Sequence, residues 1–187
     1  MSRVFGTSDW HLGHKAILKY RKCFTTIEEH DRTLIENHKR AVRKNDTTYF
    51  FGDMCFTEES LELIEELKGK KILIQGNHDG QYIKDKRKLW EVFDDIIALK
   101  NYKGVWFSHC PIHESELRGK YNIHGHTHSA IVDDHRYFNI CVEQTDYKPL
   151  QIKEVIEGLQ KANPEYEAKR LADLEARFSG KITMDEM

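Results

Sequence analysis

Three short apolar runs, each stopped by a polar turn and separated from the next by a helix-like stretch, constrain this chain more than any other feature. Arg3 to Thr7, Thr47-Thr48-Tyr49-Phe50-Phe51 and Lys71-Ile72-Leu73-Ile74-Gln75 have the length and residue content of buried strands. Between the first two, Thr26 and Glu29 stand at capping-box spacing, and Leu34, Ile35, Ala41 and Val42 recur at the helical period. Between the second and third, a helix is expected from Thr57 through Leu61, Ile64 and Leu67. The order β-α-β-α-β makes neighbouring strands parallel, because each helical crossover returns the chain to the edge where the previous strand began.

The second half changes character. Ile96 to Leu99, Val105 to Ser108, Tyr121 to His124 and Tyr137 to Val142 are short strand-like runs with brief connections. They predict a second, more antiparallel sheet packed on the first. Beyond Pro149 the pattern turns helical over Glu154 to Lys161, and Asn163 is then expected as an N-cap with Pro164 at the first helical position. Leu171, Leu174 and Phe178 form an apolar stripe suited to packing on its own domain or on a partner helix. At 187 residues the chain fits one domain, 1–187, with a C-terminal helical segment from about 152.

Lys and Arg number 29 against 31 Asp and Glu, a net charge of -2, which excludes the strong basic field of a protein that grips nucleic acid mainly by charge. No apolar run reaches the roughly 18 residues of a membrane span, and Met1-Ser2-Arg3-Val4 lacks a signal-peptide core. A cytoplasmic protein with no membrane partner is expected. The four cysteines, Cys23, Cys55, Cys110 and Cys141, form no C-x-x-C pair, so buried free thiols are expected rather than disulfides or a thiolate zinc site.

Histidine carries the functional signal. Seven of the eleven (His11, His14, His78, His109, His124, His126, His128) fall in short loop-like segments. The strand-like runs end in ligand-type residues: Asp9 and His11, then Asp53, then Asn77 and His78, later His109, and finally His126 and His128. In an open α/β sheet, ligands gather beyond the carboxyl ends of strands, so groups far apart in sequence converge there. Residues two apart on an extended segment point the same way, which pairs Asp9 with His11 and His126 with His128. Carboxylate, imidazole and one carboxamide oxygen, without thiolate, suit Mn²⁺, Zn²⁺, Fe²⁺, Co²⁺ or Ni²⁺. Seven of these residues would already exceed the need of one four-coordinate zinc. They match two ions sharing a carboxylate, as in phosphoryl-transfer sites with metals roughly 3.5–4 Å apart.

At Asp9-Trp10-His11, Gly52-Asp53, Gly76-Asn77-His78-Asp79, His109 and Gly125-His126-Thr127-His128, the chain resembles the calcineurin-like metallophosphoesterase superfamily. Its motifs D-x-H, G-D, G-N-H-[DE], a lone His after a strand and G-H-x-H occur here in that order over residues 9 to 128. Each piece alone is weak, since G-D and G-N are common turn dipeptides; the ordered set is specific. The resemblance implies a four-layer α-β-β-α sandwich of two mixed sheets. It also implies that Asp9, His11 and His128 bind one divalent ion, that Asn77, His109 and His126 bind a second, and that Asp53 bridges them, with Mn²⁺ the leading candidate and Fe, Zn, Ni or Co the others. His78 would face the substrate phosphate and protonate the leaving oxygen, with Asp79 orienting its ring. The reaction implied is hydrolysis of a phosphate ester by water, a phosphodiester ahead of a phosphomonoester of a nucleotide or small metabolite. Nucleic acid would enter only as substrate.

Gly52-Asp53 continues as Met54-Cys55-Phe56, without the Asp-Arg-Gly of the Ser/Thr protein phosphatases, which argues against that activity. The chain looks like a compact bacterial, archaeal or phage-type member, without room for the large additions of the nuclease relatives. His14 would either touch the substrate phosphate or make a structural hydrogen bond at its turn. His124 is expected behind the ligands; His30, His38, His113 and His135 at the surface or on helices; Cys55 and Cys110 in packing. Lys68-Gly69-Lys70-Lys71 and Lys84-Asp85-Lys86-Arg87-Lys88 read as solvated faces, with a nucleotide or nucleic-acid contact as the sharper alternative. Two readings from other classes stand against an enzyme. A metal-holding scaffold without activity would lack His78 or the bridging carboxylate. A zinc-stabilised nucleic-acid module would show thiolate ligands and a basic excess.

Overall fold

A computed structural model describes residues 2–178. The three apolar runs become β1 (Val4–Thr7), β2 (Thr47–Phe50) and β3 (Lys70–Ile74), paired in parallel with Val4 opposite Thr47 and Thr47 opposite Lys70. The crossovers carry α1 (Ile27–Ala41) and α2 (Glu58–Glu65). After α3 (Asp79–Tyr82) and α4 (Arg87–Val92), β4 (Asp95–Ile97) adds in parallel to β3, and the late β9 (Leu150–Gln151) adds antiparallel to β1. The first sheet therefore runs β4-β3-β2-β1-β9.

The second sheet is β5 (Leu99–Tyr102), β6 (Val105–Ser108), β7 (Tyr121–His124) and β8 (Tyr137–Asn139), in that order. The expectation that it would be the more antiparallel sheet is corrected. Only the β5–β6 hairpin is antiparallel; β6–β7 and β7–β8 are parallel. The connections over 109–120 and 125–136 are long enough to bring the chain back to the starting edge, which a tight hairpin cannot do. Ser108 and His124 consequently end their strands side by side.

Alternation along the strands sorts the core into two layers. Phe50 and Leu73 face α1, α2 and α4, packing with Trp10, Leu34, Ile64 and Phe93. Tyr49, Phe51, Ile72 and Ile74 face the second sheet and pack with Val105, Phe107, Tyr121 and Ile123. Side chains of this size gain about 1.5–3 kcal/mol each from full burial. Ile152, Val155, Ile156 and Leu159, one stripe of α5 (Ile152–Ala162), join the inter-sheet layer. Then α6 (Pro164–Phe178) lays Tyr166 edge-on to Tyr121, ring centroids 5.3 Å apart, while the Tyr121 hydroxyl donates to Glu167. Two mixed sheets flanked by helices make the four-layer α/β architecture.

Local expectations fare unevenly. Thr26 caps α1 by accepting from Glu29 N at 3.1 Å, but the Glu29 carboxylate reaches Thr25 N rather than closing the box on Thr26. The reciprocal box forms instead at α2, between Thr57 and Ser60. Asn163 is not a side-chain N-cap: its amide donates to the carbonyls of Leu159 and His135, closing α5 rather than opening α6. In the expected apolar stripe Leu171 is 48% exposed, and the Phe178 side chain lies outside the described residues. His30 and His38 are fully buried, because both fall on the inward face of α1. Cys55 and Cys141 are buried as expected, whereas Cys23 and Cys110 are exposed, each in a loop outside the packed layers. Among the described residues no helix is long and apolar enough to cross a membrane.

Candidate metal centre

The loops leaving the strands at one end of both sheets are held in costly conformations. Asp9, His11, Asp53, His126 and His128 have φ of 56°, 54°, 55°, 70° and 50°. Left-handed backbone at a residue other than glycine costs on the order of 1–3 kcal/mol and persists only where surrounding bonds impose it. Those bonds are present. Asp9 N and His11 N donate to the carbonyls of Gly52 and Asp53 at 3.0 and 3.1 Å, so the loops after β1 and β2 run together. Gly52, at φ 93°, passes so close to Gly76 and His109 that a Cβ there would lie 2.5 Å from His109 Nδ1. The buried Asp79 carboxylate accepts from Asp53 N, Met54 N and Gly76 N at 2.8–2.9 Å, fastening the β2 loop to the β3 loop. Burial raises its pKa, partly offset by those N–H donors.

With both oxygens engaged, Asp79 does not orient His78. It opens α3 and turns back on the backbone, and that expectation is corrected. The His78 Nδ1–H donates instead to Gln81 Oε1 at 2.9 Å, one turn along, leaving Nε2 facing Asp53 Oδ2 at 3.9 Å.

All seven expected donors reach this end of the sheets, in two clusters. In the first, Asp9 Oδ2 accepts from Ser8 Oγ, His126 N and Cys141 Sγ, while Oδ1 lies 3.8 Å from both His11 Nε2 and His128 Nε2. Asp9 Oδ1 and His11 Nε2 are buried without a hydrogen-bond partner. Buried polar atoms are rarely orphaned, and a carboxylate oxygen and an imidazole nitrogen converging with the second imidazole of His128 suit a cation. Burial works against the Asp9 charge, yet His11, His109, His128 and Ser8 hold the carboxyl well below its ordinary range. Burial depresses His11 to about 4, which keeps it neutral and able to ligate.

In the second cluster, His109 Nδ1–H donates to the Phe51 carbonyl at 2.7 Å, so Nε2 points inward. It lies 2.9 Å from Asn77 Oδ1, 3.2 Å from His126 Nδ1 and 3.3 Å from Asp53 Oδ2. Burial lowers the pKa of this imidazole, but the Asp53 hydrogen bond and the charges of Asp9 and Asp53 override it and push the pKa up to about 9. A point that draws positive charge this strongly, lined by oxygen and nitrogen lone pairs, also fits a cation. Donor atoms of Asp9, His11 and His128, and of Asp9, Asp53 and His109, each lie within 4.8 Å of one another, so Asp9 belongs to both groups and Asp53 adjoins it on the His109 side. Cys110, expected only in packing, is within the same distance of His109 and His126.

His14 places Nδ1 3.2 Å from His11 Nδ1 and stacks on Phe56, centroids 4.1 Å apart. His124 is buried behind the donors, with Nδ1–H on the Gly125 carbonyl.

A group of buried polar residues escaped the sequence reading. His128 Nδ1–H donates to Glu143 Oε1 at 2.9 Å, and the same oxygen accepts from Arg21 Nε and Nη2 at 2.8 and 2.7 Å. Arg21, 1% exposed, also donates to the carbonyls of Asp9 and Trp10, and its Nη1 pairs with His30 Nε2. Guanidinium has no lone pair to offer, so His30 Nε2 accepts and its Nδ1–H donates to Asp31, which holds Gly13 N. Arg21 and Glu143 stand 122 positions apart, and neither lies in a motif that would flag it.

The site geometry agrees with comparisons to known proteins. The sequence profile described as Calcineurin-like phosphoesterase matches residues 2–173. The uncharacterized protein MJ1445 of Methanocaldococcus jannaschii is 31% identical over 174 residues, covering 86% of this chain and 93% of that protein. The Gene 66 protein of Mycobacterium phage L5 is 34% identical over 166 residues, covering 71% and 80%. A crystal structure of AQ665, a protein of unknown function from Aquifex aeolicus, superposes with a TM-score of 0.67 at 27% identity, covering 84% of this chain and 99% of that one. With the ordered motifs brought together at one end of two mixed sheets, the chain belongs to the calcineurin-like phosphoesterase family.

Proposed function

We propose that the protein is a phosphodiesterase that works with two divalent cations. The observation that carries the reading is the pair of adjoining donor clusters linked through Asp9 and Asp53. Asp9, His11 and His128 would hold one ion, Asn77, His109 and His126 the other, and Asp53 would serve both. The mixed carboxylate, imidazole and amide donors favour Mn²⁺, with Fe, Zn, Ni or Co as competitors. Bound ions of this kind supply charge neutralisation at the phosphate and a more acidic water as nucleophile.

The protein's own groups do the rest. His78 N donates to Asp53 Oδ1 at 2.7 Å, which fixes the His78 loop against the shared carboxylate. With Nδ1–H held by Gln81, the His78 proton available to a leaving alkoxide is the one on Nε2, and a positioned acid of this kind is worth about 10²–10⁴-fold. Neither a Ser nor a Cys nucleophile is required.

The test is metal-stripped protein reconstituted with Mn²⁺ and assayed on an aryl phosphodiester and the matching monoester. Mn²⁺-dependent cleavage favouring the diester supports the reading. Preference for the monoester makes the protein a phosphomonoesterase, and stoichiometric ion binding with no cleavage of either makes it a scaffold.

A further inference from the structure

Beside the donor clusters lies a stack of rings that the hydrolytic reading leaves unused. The Phe56 ring stacks on His14 at 4.1 Å and 4°, and on Tyr82 at 4.4 Å and 29°. His78 sits 5.1 Å from Phe56 and 5.6 Å from Tyr82, so the stack flanks the group placed at the leaving oxygen. Phe56 is 9% exposed and Tyr82 41%; Tyr82 ends the row, with Phe56 and His78 beside its ring and much of the residue left to solvent. Its position is set by the chain, because Tyr82 N donates to the His78 carbonyl on the same turn.

Charge continues from the ring. Of the run Lys84 to Lys88, Asp85 is taken by Arg87, and Lys88 by Glu58 on α2. Lys84 and Lys86 are exposed and make no ion pair among the described residues. Lys86 folds back over α3, its Nζ 3.7 Å from where a Cβ on Gly80 would stand, two residues from His78. A solvent-facing aromatic ring next to the reacting position, followed by unpaired ammonium groups, is the combination that binds single-stranded nucleic acid: a base stacks on the ring and neighbouring phosphates meet the cations. A paired base cannot use it, since its faces are covered by its own neighbours.

We infer that Tyr82, backed by Phe56, is a stacking platform for an unpaired base on the leaving-group side of the centre, and that the substrate is a single-stranded oligonucleotide whose flanking phosphates meet Lys84 and Lys86. This rests on the phosphodiesterase reading and names its substrate class.

The test separates the two by measuring binding rather than turnover. Mn²⁺-loaded protein is titrated with a five-residue thymidylate carrying phosphorothioate links, which slow cleavage, and with an abasic oligomer of the same length and linkage. The wild type should prefer thymidylate by about 5- to 150-fold, the range expected of one stacked base. Tyr82→Ala should erase the preference and Tyr82→Phe should keep it. Lys86→Ala should weaken both oligomers alike and lower the salt slope of log Kd by about 0.7. Equal affinity of the wild type for the two oligomers, or a preference that survives Tyr82→Ala, overturns the inference even where an aryl diester is cleaved. A preference that is intact while no diester is cleaved supports the platform and removes the hydrolase reading.

Discussion

The two donor clusters adjoin but are braced by opposite means. Behind His128 stands a side-chain chain, Glu143 to Arg21 to His30 to Asp31, which also ties down the carbonyl of the left-handed Asp9. Behind His109 stands only the Phe51 carbonyl, part of the β2 backbone. A backbone acceptor cannot be substituted away, whereas a carboxylate–histidine pair can be. His128 should therefore respond to a substitution behind it that touches no donor, whereas His109 has no side-chain partner of that kind behind its ring; the second cluster's loops depend instead on the Asp79 carboxylate. The chain is electrostatically matched: burial opposes charge on both partners, yet the hydrogen bond and the nearby ions raise His128 and lower Glu143.

The largest effect breaks the distinction altogether. Asp53→Asn takes the charge from the carboxylate that faces both His109 and His78, and should weaken cation binding by about 3–5 kcal/mol while abolishing hydrolysis. Calorimetric titration with Mn²⁺ reads this; two unaltered binding events would remove the shared role of Asp53. His78→Ala should slow turnover by about 10²–10⁴-fold with both ions still bound, because the proposed function has it act on the leaving group and not through either cluster. Unchanged turnover at full metal content would take His78 out of the reaction.

Glu143→Gln sharpens the comparison. Loss of the carboxylate behind His128 should lower the affinity of one ion by about 10–100-fold and spare the other, the usual cost of removing the partner behind a metal-binding histidine. Equal weakening of both ions would show that the clusters are not braced separately.

The smallest effect lies outside both clusters. Asp46 accepts from Arg3 and Arg43, and although burial opposes it, these bonds bring its pKa down to about 2. A depressed carboxyl contributes stability above the ordinary value near 3.9 and loses it as pH falls through about 2. Asp46→Asn should cost about 1 kcal/mol at neutral pH, given partial screening by solvent, and nothing near pH 2, with both ion affinities unchanged. Thermal unfolding followed across that range checks the sign.

What could be read before the structure was local or periodic. The apolar runs of β1, β2 and β3, the cap at Thr26 and the helix start at Thr57 depend on residues within a few positions, so residue content and spacing reveal them. The seven donors were legible for a related reason: a strand end is marked by its own turn, and the parallel order places such ends together. The direction of β6, β7 and β8 was not legible, because short runs look alike in either orientation and only the long returns decided it. Nor was the inward turn of Asp79, two of whose three backbone partners, Asp53 and Met54, lie on the loop after β2.

Sequence by itself thus determined which residues could ligate and which runs would form the parallel sheet, since both follow from residue type and period. Tertiary structure alone decided what stands behind them. Arg21, His30 and Glu143 become a brace behind the donor cluster only when the loop after β1, the helix α1 and the segment after β8 meet, and no spacing rule encodes a contact across 122 residues. Burial then gives those contacts their strength, because a buried Arg21 must find acceptors for its donors and the carbonyls of Asp9 and Trp10 and the Glu143 carboxylate supply them.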